Sequence, residues 1–150
     1  MNNLEIKQKL IDHCISKQKD VIEHAKSAMI EAQKSANEYG QPKDRYDSFR
    51  NKMLRERDLH ARQMDKAIEQ LAILNRLIPV KESKKIEFGT LVITKSQNLF
   101  ISVGLGKIEL DGKTYYAISP GVPIYKIIVS LKPGDTYIFN GINHEIVEIT

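Results

Sequence analysis

The first half of the chain repeats mostly apolar residues at alternating intervals of four and three, and this spacing constrains the fold more than any other feature. The first series is Leu4, Gln8, Ile11, Ile15, Gln18, Ile22, Ala25, Met29, Ala32 and Ala36. The second series is Phe49, Met53, Arg57, His60, Met64, Ala67, Leu71, Leu74 and Ile78. An average interval of about 3.5 residues is typical of the contact seam of a coiled coil. The spacing therefore predicts two long helices.

A short break separates the two series. Gly40 and Pro42 lie inside it, and they are the only glycine and the only proline before residue 79. Glycine frees the backbone, and proline cannot continue a helix. Two long helices joined by a short turn run antiparallel. We therefore predict an N-terminal antiparallel α-helical coiled-coil hairpin over residues 1–78.

The composition changes near residue 79, and seven of the eight glycines lie beyond it. The pairs Asp111-Gly112 and Asn140-Gly141 each separate two runs rich in β-branched and aromatic residues, which indicates β-hairpins. Pro123 can occupy the first position of a short helix that runs toward Leu131. The fold class is therefore α+β: the hairpin, a linker over residues 79–86, and a C-terminal small antiparallel β domain with one short helix over residues 87–150.

Charge and cysteine content limit the environment of the protein. The net charge is +4 and the isoelectric point about 9.1, which suits work near DNA or RNA without requiring it. The only cysteine, Cys14, cannot form an internal disulfide, which fits a reducing compartment. No apolar run approaches the roughly 20 residues needed to span a bilayer. We expect a cytoplasmic protein without a membrane partner.

Basic residues crowd the start of the second predicted helix, where seven lie between residues 43 and 62 against four acidic ones. Four of them are candidates for contact with phosphates: Arg45, Arg50, Lys52 and Arg55. A solvated helix face explains the same pattern equally well. Both interpretations stay open.

Three carboxylates lie around the predicted turn. Asp44 and Asp47 are three residues apart on the first turn of the second helix, so their side chains can point the same way, and Glu38 lies on the other side of the turn. Carboxylate oxygens are ligands that Mg²⁺ prefers, often shared with a partner. The same residue types are also favoured as helix caps. The sequence leaves a metal site at Asp44 and Asp47 and a purely structural role as alternatives.

Catalysis by the chain alone has little support in the sequence. It contains no glycine-rich phosphate-binding motif, and its four histidines are scattered without the spacing of a zinc site. We expect an accessory protein that is not an enzyme, with no small-molecule substrate and no cofactor bound on its own.

Two motifs resemble those of the Gre-type transcript-cleavage factors. Residues 122–135 read Val-Pro-Ile-Tyr-Lys-Ile-Ile-Val-Ser-Leu-Lys-Pro-Gly-Asp, which is similar to the family's Ser-Pro-Ile motif that ends in Gly-Asp. Tyr46 to Arg50 resembles the Tyr-x-x-x-Arg that opens the family's second helix. The resemblance covers essentially the whole chain. It departs at the turn, where Tyr39 and Pro42 align with the two acidic residues of the family.

The resemblance implies a fold, a partner and a mode of action. The C-terminal domain would be FKBP-like and dock through Pro123 and Ile124 at the secondary channel of bacterial RNA polymerase. The hairpin would enter the channel, and Glu38, Asp44 and Asp47 are the candidates to share Mg²⁺ with the polymerase. The basic residues would face the 3′ end of the nascent RNA. The polymerase itself would hydrolyse backtracked RNA during transcription elongation.

Two alternative functions follow from the same elements. A coiled-coil scaffold or adaptor without polymerase chemistry would expose apolar residues along the hairpin, whereas the first helix is expected to expose Lys7, Lys9, Lys17, Lys19 and Lys26. A prolyl isomerase would need an aromatic-lined pocket, and several of the seven aromatic residues after residue 85 must fill the core. Both alternatives are less well supported.

Overall fold

The computed structural model describes residues 2–38 and 48–150, and the chain forms three helices and six strands in these ranges. The elements are, in chain order, α1 Asn3–Glu38, α2 Ser48–Asn75, β1 Leu91–Thr94, β2 Asn98–Ile101, β3 Gly106–Leu110, β4 Lys113–Ile118, α3 Pro123–Ile128, β5 Thr136–Phe139 and β6 Ile142–Ile149. This α+β architecture confirms the predicted fold class. None of the helices in the described ranges is long and apolar enough to cross a membrane.

Helices α1 and α2 form the predicted antiparallel hairpin. Gln18 Nε2 donates to Gln70 Oε1 at 2.7 Å, and Arg57 Nη1 donates to Gln33 Oε1 at 2.5 Å. Residues later in α1 thus contact residues earlier in α2, which requires antiparallel helices. One member of each pair, Gln18 or Arg57, lies on a predicted seam, so polar side chains contribute to the alignment of the two helices.

The seam of α1 follows the predicted spacing in its second half and departs from it near the start. Ala25, Ala32 and Ala36 are buried as expected. Leu4, however, is 40% exposed, and Lys7 is buried although it was expected on the outer face. The reason is that the first turns of α1 contact the end of β6 and the segment after α2, as described below, so the buried face differs there.

The six strands form one sheet in the order β3-β4-β2-β1-β6-β5. All neighbouring pairs are antiparallel except β2 and β4, which run parallel. The parallel pair arises because the chain passes from β2 to the edge of the sheet, forms β3, and returns as β4 between them. The sheet is therefore mostly antiparallel, with one exception that the expectation of an antiparallel domain missed.

Both predicted hairpin turns and the short helix are present. Asp111, Gly112, Asn140 and Gly141 all have positive φ, between 51° and 78°, as expected for two-residue turns that match the twist of the strands. Helix α3 begins at Pro123 as predicted and buries Ile124 and Ile128. These two side chains join a core formed with residues of the sheet and the segment before it: Ile86, Val92, Leu99, Ile101, Tyr137 and Ile146.

The chain divides into two compact units. Unit 1 comprises residues 1–14 and 73–150, and unit 2 comprises residues 15–72. The start of α1 and the end of α2 thus belong to the same unit as the sheet, while the described residues of unit 2 are all helical. The domain boundaries at residues 78 and 86, like the FKBP-like classification, stay predictions.

Candidate functional site

The acidic residues predicted at the turn are only partly covered by the structure. Asp44, Asp47 and the basic candidate Arg45 lie outside the described residues. Glu38 ends α1, and its exposed carboxylate lies 3.9 Å from the ammonium of Lys34 one turn earlier. Among residues 2–38 and 48–150, no group of three or more histidine, cysteine, aspartate or glutamate side chains could hold a metal ion. The Mg²⁺ site at Asp44 and Asp47 stays a prediction.

The three basic candidates on α2 differ in their surroundings. Arg50 is half-buried, and its Nη1 donates to the main-chain oxygen of Ala36 at 2.9 Å. That carbonyl is near the end of α1, where main-chain acceptors lack partners within the helix. Lys52 and Arg55 are exposed. Arg50 therefore stabilises the end of α1, while Lys52 and Arg55 are available at the surface.

Lys52 and Arg55 begin a longer row of exposed residues on α2. The row continues through Leu59 and Arg62 to Lys66, at intervals of three and four residues, which keeps all five on one face of the helix. We call Lys52, Arg55, Leu59, Arg62 and Lys66 the α2 stripe. At about 1.5 Å per residue, the stripe is about 21 Å long. Only Lys52 and Arg55 of this row were predicted as basic candidates, although the three-and-four spacing extends the row to Lys66.

The four cations of the α2 stripe have no ion pair with any carboxylate in the described part of the chain. Arg57, which is not part of the stripe, behaves differently, because its guanidinium pairs with Asp58 at 2.9 Å and bonds to Gln33. Unpaired exposed cations in a row attract an extended anion, and the attraction falls as salt increases. The α2 stripe is thus a candidate surface for phosphates or an acidic protein.

The predicted docking residues lie at the start of α3. Pro123 is exposed, whereas Ile124 is only 7% exposed and belongs to the core. A direct contact with a partner is therefore open to Pro123, and Ile124 holds the helix on the sheet. The exposed apolar residues beside them are Ile127 and Val129, which the sequence analysis did not single out. Assigning one face of this six-residue helix to the core would have identified Ile127.

The most unusual polar group in unit 1 is Lys7, which is 3% exposed. Its ammonium donates to the main-chain oxygens of Lys81 at 2.6 Å and Thr150 at 3.0 Å. Burial lowers the pKa of Lys7, and the nearby carboxylates of Glu82 and Glu87 oppose that shift. Lys7 therefore connects the start of α1 to two segments that are remote in sequence. The expectation of an exposed Lys7 is wrong, because sequence spacing alone does not show these acceptors.

A second polar cluster surrounds His144 on β6. Ser96 Oγ hydrogen-bonds with His144 Nδ1, and the imidazole stacks on the ring of Tyr137 with the ring centroids 5.0 Å apart. Gln97 Nε2 donates to the Tyr137 hydroxyl at 2.9 Å, and burial raises the pKa of that phenol. The main-chain N–H groups of Ser96 and Gln97 already donate to Thr94 Oγ1, so they are not available to stabilise an oxyanion. The cluster connects the β1–β2 turn to β6.

Comparisons with known proteins give one likeness. No protein-family model and no curated protein matches the chain. Among solved structures, the chain is similar to the crystal structure of GreA factor homolog 1 (Gfh1) of Thermus thermophilus, with 18% identity and a TM-score of 0.37. The match covers 91% of this chain and 94% of that one.

Proposed function

We propose that this chain is a Gre-like accessory factor that binds bacterial RNA polymerase at its secondary channel and modulates transcription elongation. The observation that carries the proposal is the α2 stripe: four exposed cations on one face of a two-helix hairpin, with no ion pair to any carboxylate in residues 2–38 and 48–150. The motif resemblance at residues 122–135 directs the proposal toward polymerase. In this proposal the chain works in the cytoplasm, and any hydrolysis of RNA is performed by the polymerase.

The α2 stripe supports contact with an extended phosphate chain. A row of cations about 21 Å long can neutralise several phosphates, and each neutralised phosphate releases counterions. The exposed Leu59 in the middle of the row offers an apolar surface for an unstacked base. The 3′ segment of backtracked RNA, which leaves the active centre as a single strand, has the matching chemistry.

The surface around the start of α3 supports a second contact, with the protein part of the complex. Pro123 and Ile127 are both exposed and lie about one helical turn apart on α3, within the segment that resembles the family motif. In the proposal they contact the rim of the channel, and Ile124 positions them from the core. Pro123 suits the first position of α3, because the backbone N–H that proline lacks has no acceptor within the helix at that position.

Stimulation of cleavage is a finer proposal that depends on Asp44 and Asp47. Carboxylates that share a catalytic Mg²⁺ with the polymerase would help the ion to activate a water molecule. Within the described residues only Glu38 represents this acidic group. Two outcomes therefore follow from binding in the channel, which are stimulated cleavage and simple competition for the channel.

The proposal is tested by binding to purified bacterial polymerase halted in a backtracked complex. We expect the full chain to bind, and the double variant Lys52→Glu/Arg55→Glu to bind at least about tenfold more weakly, with a reduced dependence on salt. The matched control is Lys19→Glu/Lys26→Glu, which reverses two exposed cations on α1 that pair with no carboxylate in the described part of the chain. An equal loss in both variants, or no binding by the natural chain, would contradict the proposal.

Two further variants separate docking from chemistry in the same assay. Pro123→Asp should weaken binding, since a carboxylate replaces an apolar contact while remaining compatible with the first turn of a helix. Asp44→Asn and Asp47→Asn should bind normally and abolish any shortening of the RNA. Unchanged cleavage in both tip variants would refute the metal role and leave competition for the channel. A scaffold would instead bind a helical partner and ignore the polymerase.

A further inference from the structure

A groove in unit 1 lies between the start of α1 and the end of β6. Its volume is about 540 Å³, which is within the range of sites that bind peptides and small ligands. We call it the Leu4 groove. Its lining includes the apolar residues Leu4, Pro133, Val147 and Ile149 and the acidic residues Glu82 and Glu148.

The Leu4 groove groups several partly exposed apolar side chains on one concave surface. Leu4 is 40% exposed and Val147 is 44% exposed, and Pro133 and Ile149 lie beside them. Spacing along α1 places Leu4 in the helical seam, but the structure directs it into the groove. Covering both side chains would remove apolar surface from water and provide the driving force for an apolar anchor.

The rim of the Leu4 groove is acidic. Glu82 and Glu148 line it, and no lysine or arginine of the described chain is among the lining residues. Glu148 accepts a hydrogen bond from Asn3 Nδ2, which fixes its carboxylate at the rim. The buried ammonium of Lys7 bonds to Thr150 behind the groove and offsets part of the negative charge. An acidic rim is unusual in a chain of net charge +4.

We infer that the Leu4 groove binds a short segment of a partner protein in which one apolar side chain is flanked by lysine or arginine. The apolar residue fills the groove between Leu4 and Val147, and the cations pair with Glu82 and Glu148. The charge of the rim selects this occupant over an acidic or neutral apolar segment, because like charges at a rim oppose binding. The inference concerns a different surface from the α2 stripe and does not depend on polymerase binding.

The test uses the full chain and a fluorescein-labelled octapeptide with one leucine between two pairs of lysines. We expect saturable binding by fluorescence anisotropy at roughly 1 mM peptide or below, which is typical of short apolar anchors. In ¹⁵N-labelled protein, the amide shifts should change at Leu4, Val147 and Glu148. Replacing the leucine of the peptide by alanine, or its lysines by glutamates, should remove the binding.

Variants of the protein locate the site. Glu82→Gln/Glu148→Gln should weaken binding roughly threefold to tenfold, and Val147→Ser roughly fivefold. The matched controls are Glu23→Gln/Glu69→Gln, which neutralises two other exposed carboxylates, and Ile138→Ser at another exposed apolar residue. Both controls should bind as the natural chain does.

Three results would overturn the inference. The first is an absence of saturable binding, and the second is an equal loss in the control variants. The third is sedimentation evidence that the chain self-associates through the groove and that Val147→Glu abolishes the association, since the occupant would then be a second copy. An unchanged melting temperature of each variant shows that a loss of binding reflects the groove itself.

Discussion

The side chains buried inside unit 1 differ in kind from those buried inside unit 2. In unit 1 the largest fully buried side chains include Phe100, Ile101, Leu91 and Ile146, together with Leu10, Ile11 and Leu74 from the helix ends. Among the described residues of unit 2, the buried side chains are Gln18 and four alanines. The described part of unit 2 therefore has very little apolar core, and polar bonds made by the seam residues Gln18 and Arg57 help to align its helices.

The difference indicates that the long helices of unit 2 add length to the molecule without adding much to its stability. Burial of large apolar side chains is the main favourable term in folding, and unit 1 contains most of it. Regions with few buried apolar contacts open locally at a lower free energy than the global unfolding. We therefore expect unit 2 to open before the sheet does, which the following substitutions test.

The largest contrast should come from the same substitution made in each unit. Ile101→Ala, at a fully buried position of β2, should lower the free energy of unfolding by about 2–5 kcal/mol. Ile22→Ala, at a half-buried position of α1, should cost about 1 kcal/mol. Urea denaturation followed by circular dichroism measures both, and equal losses would show that unit 2 is packed as tightly as unit 1.

A substitution at Gly89 tests how tightly the segment that follows α2 is packed in unit 1. Its φ is +92°, and an added Cβ would lie 2.8 Å from Leu77 Cδ2. Gly89→Ala should therefore cost about 2–4 kcal/mol through backbone strain and overlap. Gly104 has open space around it, so Gly104→Ala serves as the control and should change the melting temperature little. A tolerated Gly89→Ala would show that Leu77 can move.

Lys7 tests whether a polar contact stabilises the same region. Lys7→Met should cost about 1–3 kcal/mol, because the main-chain oxygens of Lys81 and Thr150 lose their donor. Lys9→Met, which removes one exposed ion pair with Asp111, is the control and should cost at most about 1 kcal/mol.

The pH dependence gives an independent check on Lys7. Burial lowers the pKa of Lys7 in the folded protein below the ordinary lysine value of 10.5, so near that pH the unfolded chain binds more protons. The stability of the natural chain should therefore rise relative to Lys7→Met as the pH increases toward 10.5. A constant difference over this interval would mean that the ammonium is not desolvated.

The smallest effect is expected in the hairpin. Gln18→Ala removes the bond to Gln70 and should cost about 1 kcal/mol. Hydrogen exchange should report faster opening of amides between residues 18 and 36, while the amides of β1 and β2 stay protected. If the sheet amides were to exchange faster as well, the two units would unfold as one.

Local chemistry made much of the fold predictable. The pairs Asp111-Gly112 and Asn140-Gly141 specify their turns through positive φ, and Pro123 marks the start of α3. The hairpin was predictable because its spacing persists over many turns. The extension of the α2 stripe to Lys66 was also present in the spacing.

Features that depend on remote contacts were not predictable. The parallel pairing of β2 with β4 depends on where the chain re-enters the sheet, which no local pattern encodes. The burial of Lys7 depends on acceptors at residues 81 and 150, and the burial of Ile124 depends on which face of α3 meets the sheet. In each case the deciding neighbour is far away in the sequence.

The alanine-rich seam of unit 2 determines how thick the pair of helices is. Ala25, Ala32, Ala36 and Ala67 let two helix axes approach toward the short end of the usual 8–10 Å separation. The pair is then about as slim as two packed helices can be. Bulkier seam residues such as leucine would push the helices apart. A rigid channel just wide enough for the natural pair would then exclude the thicker pair.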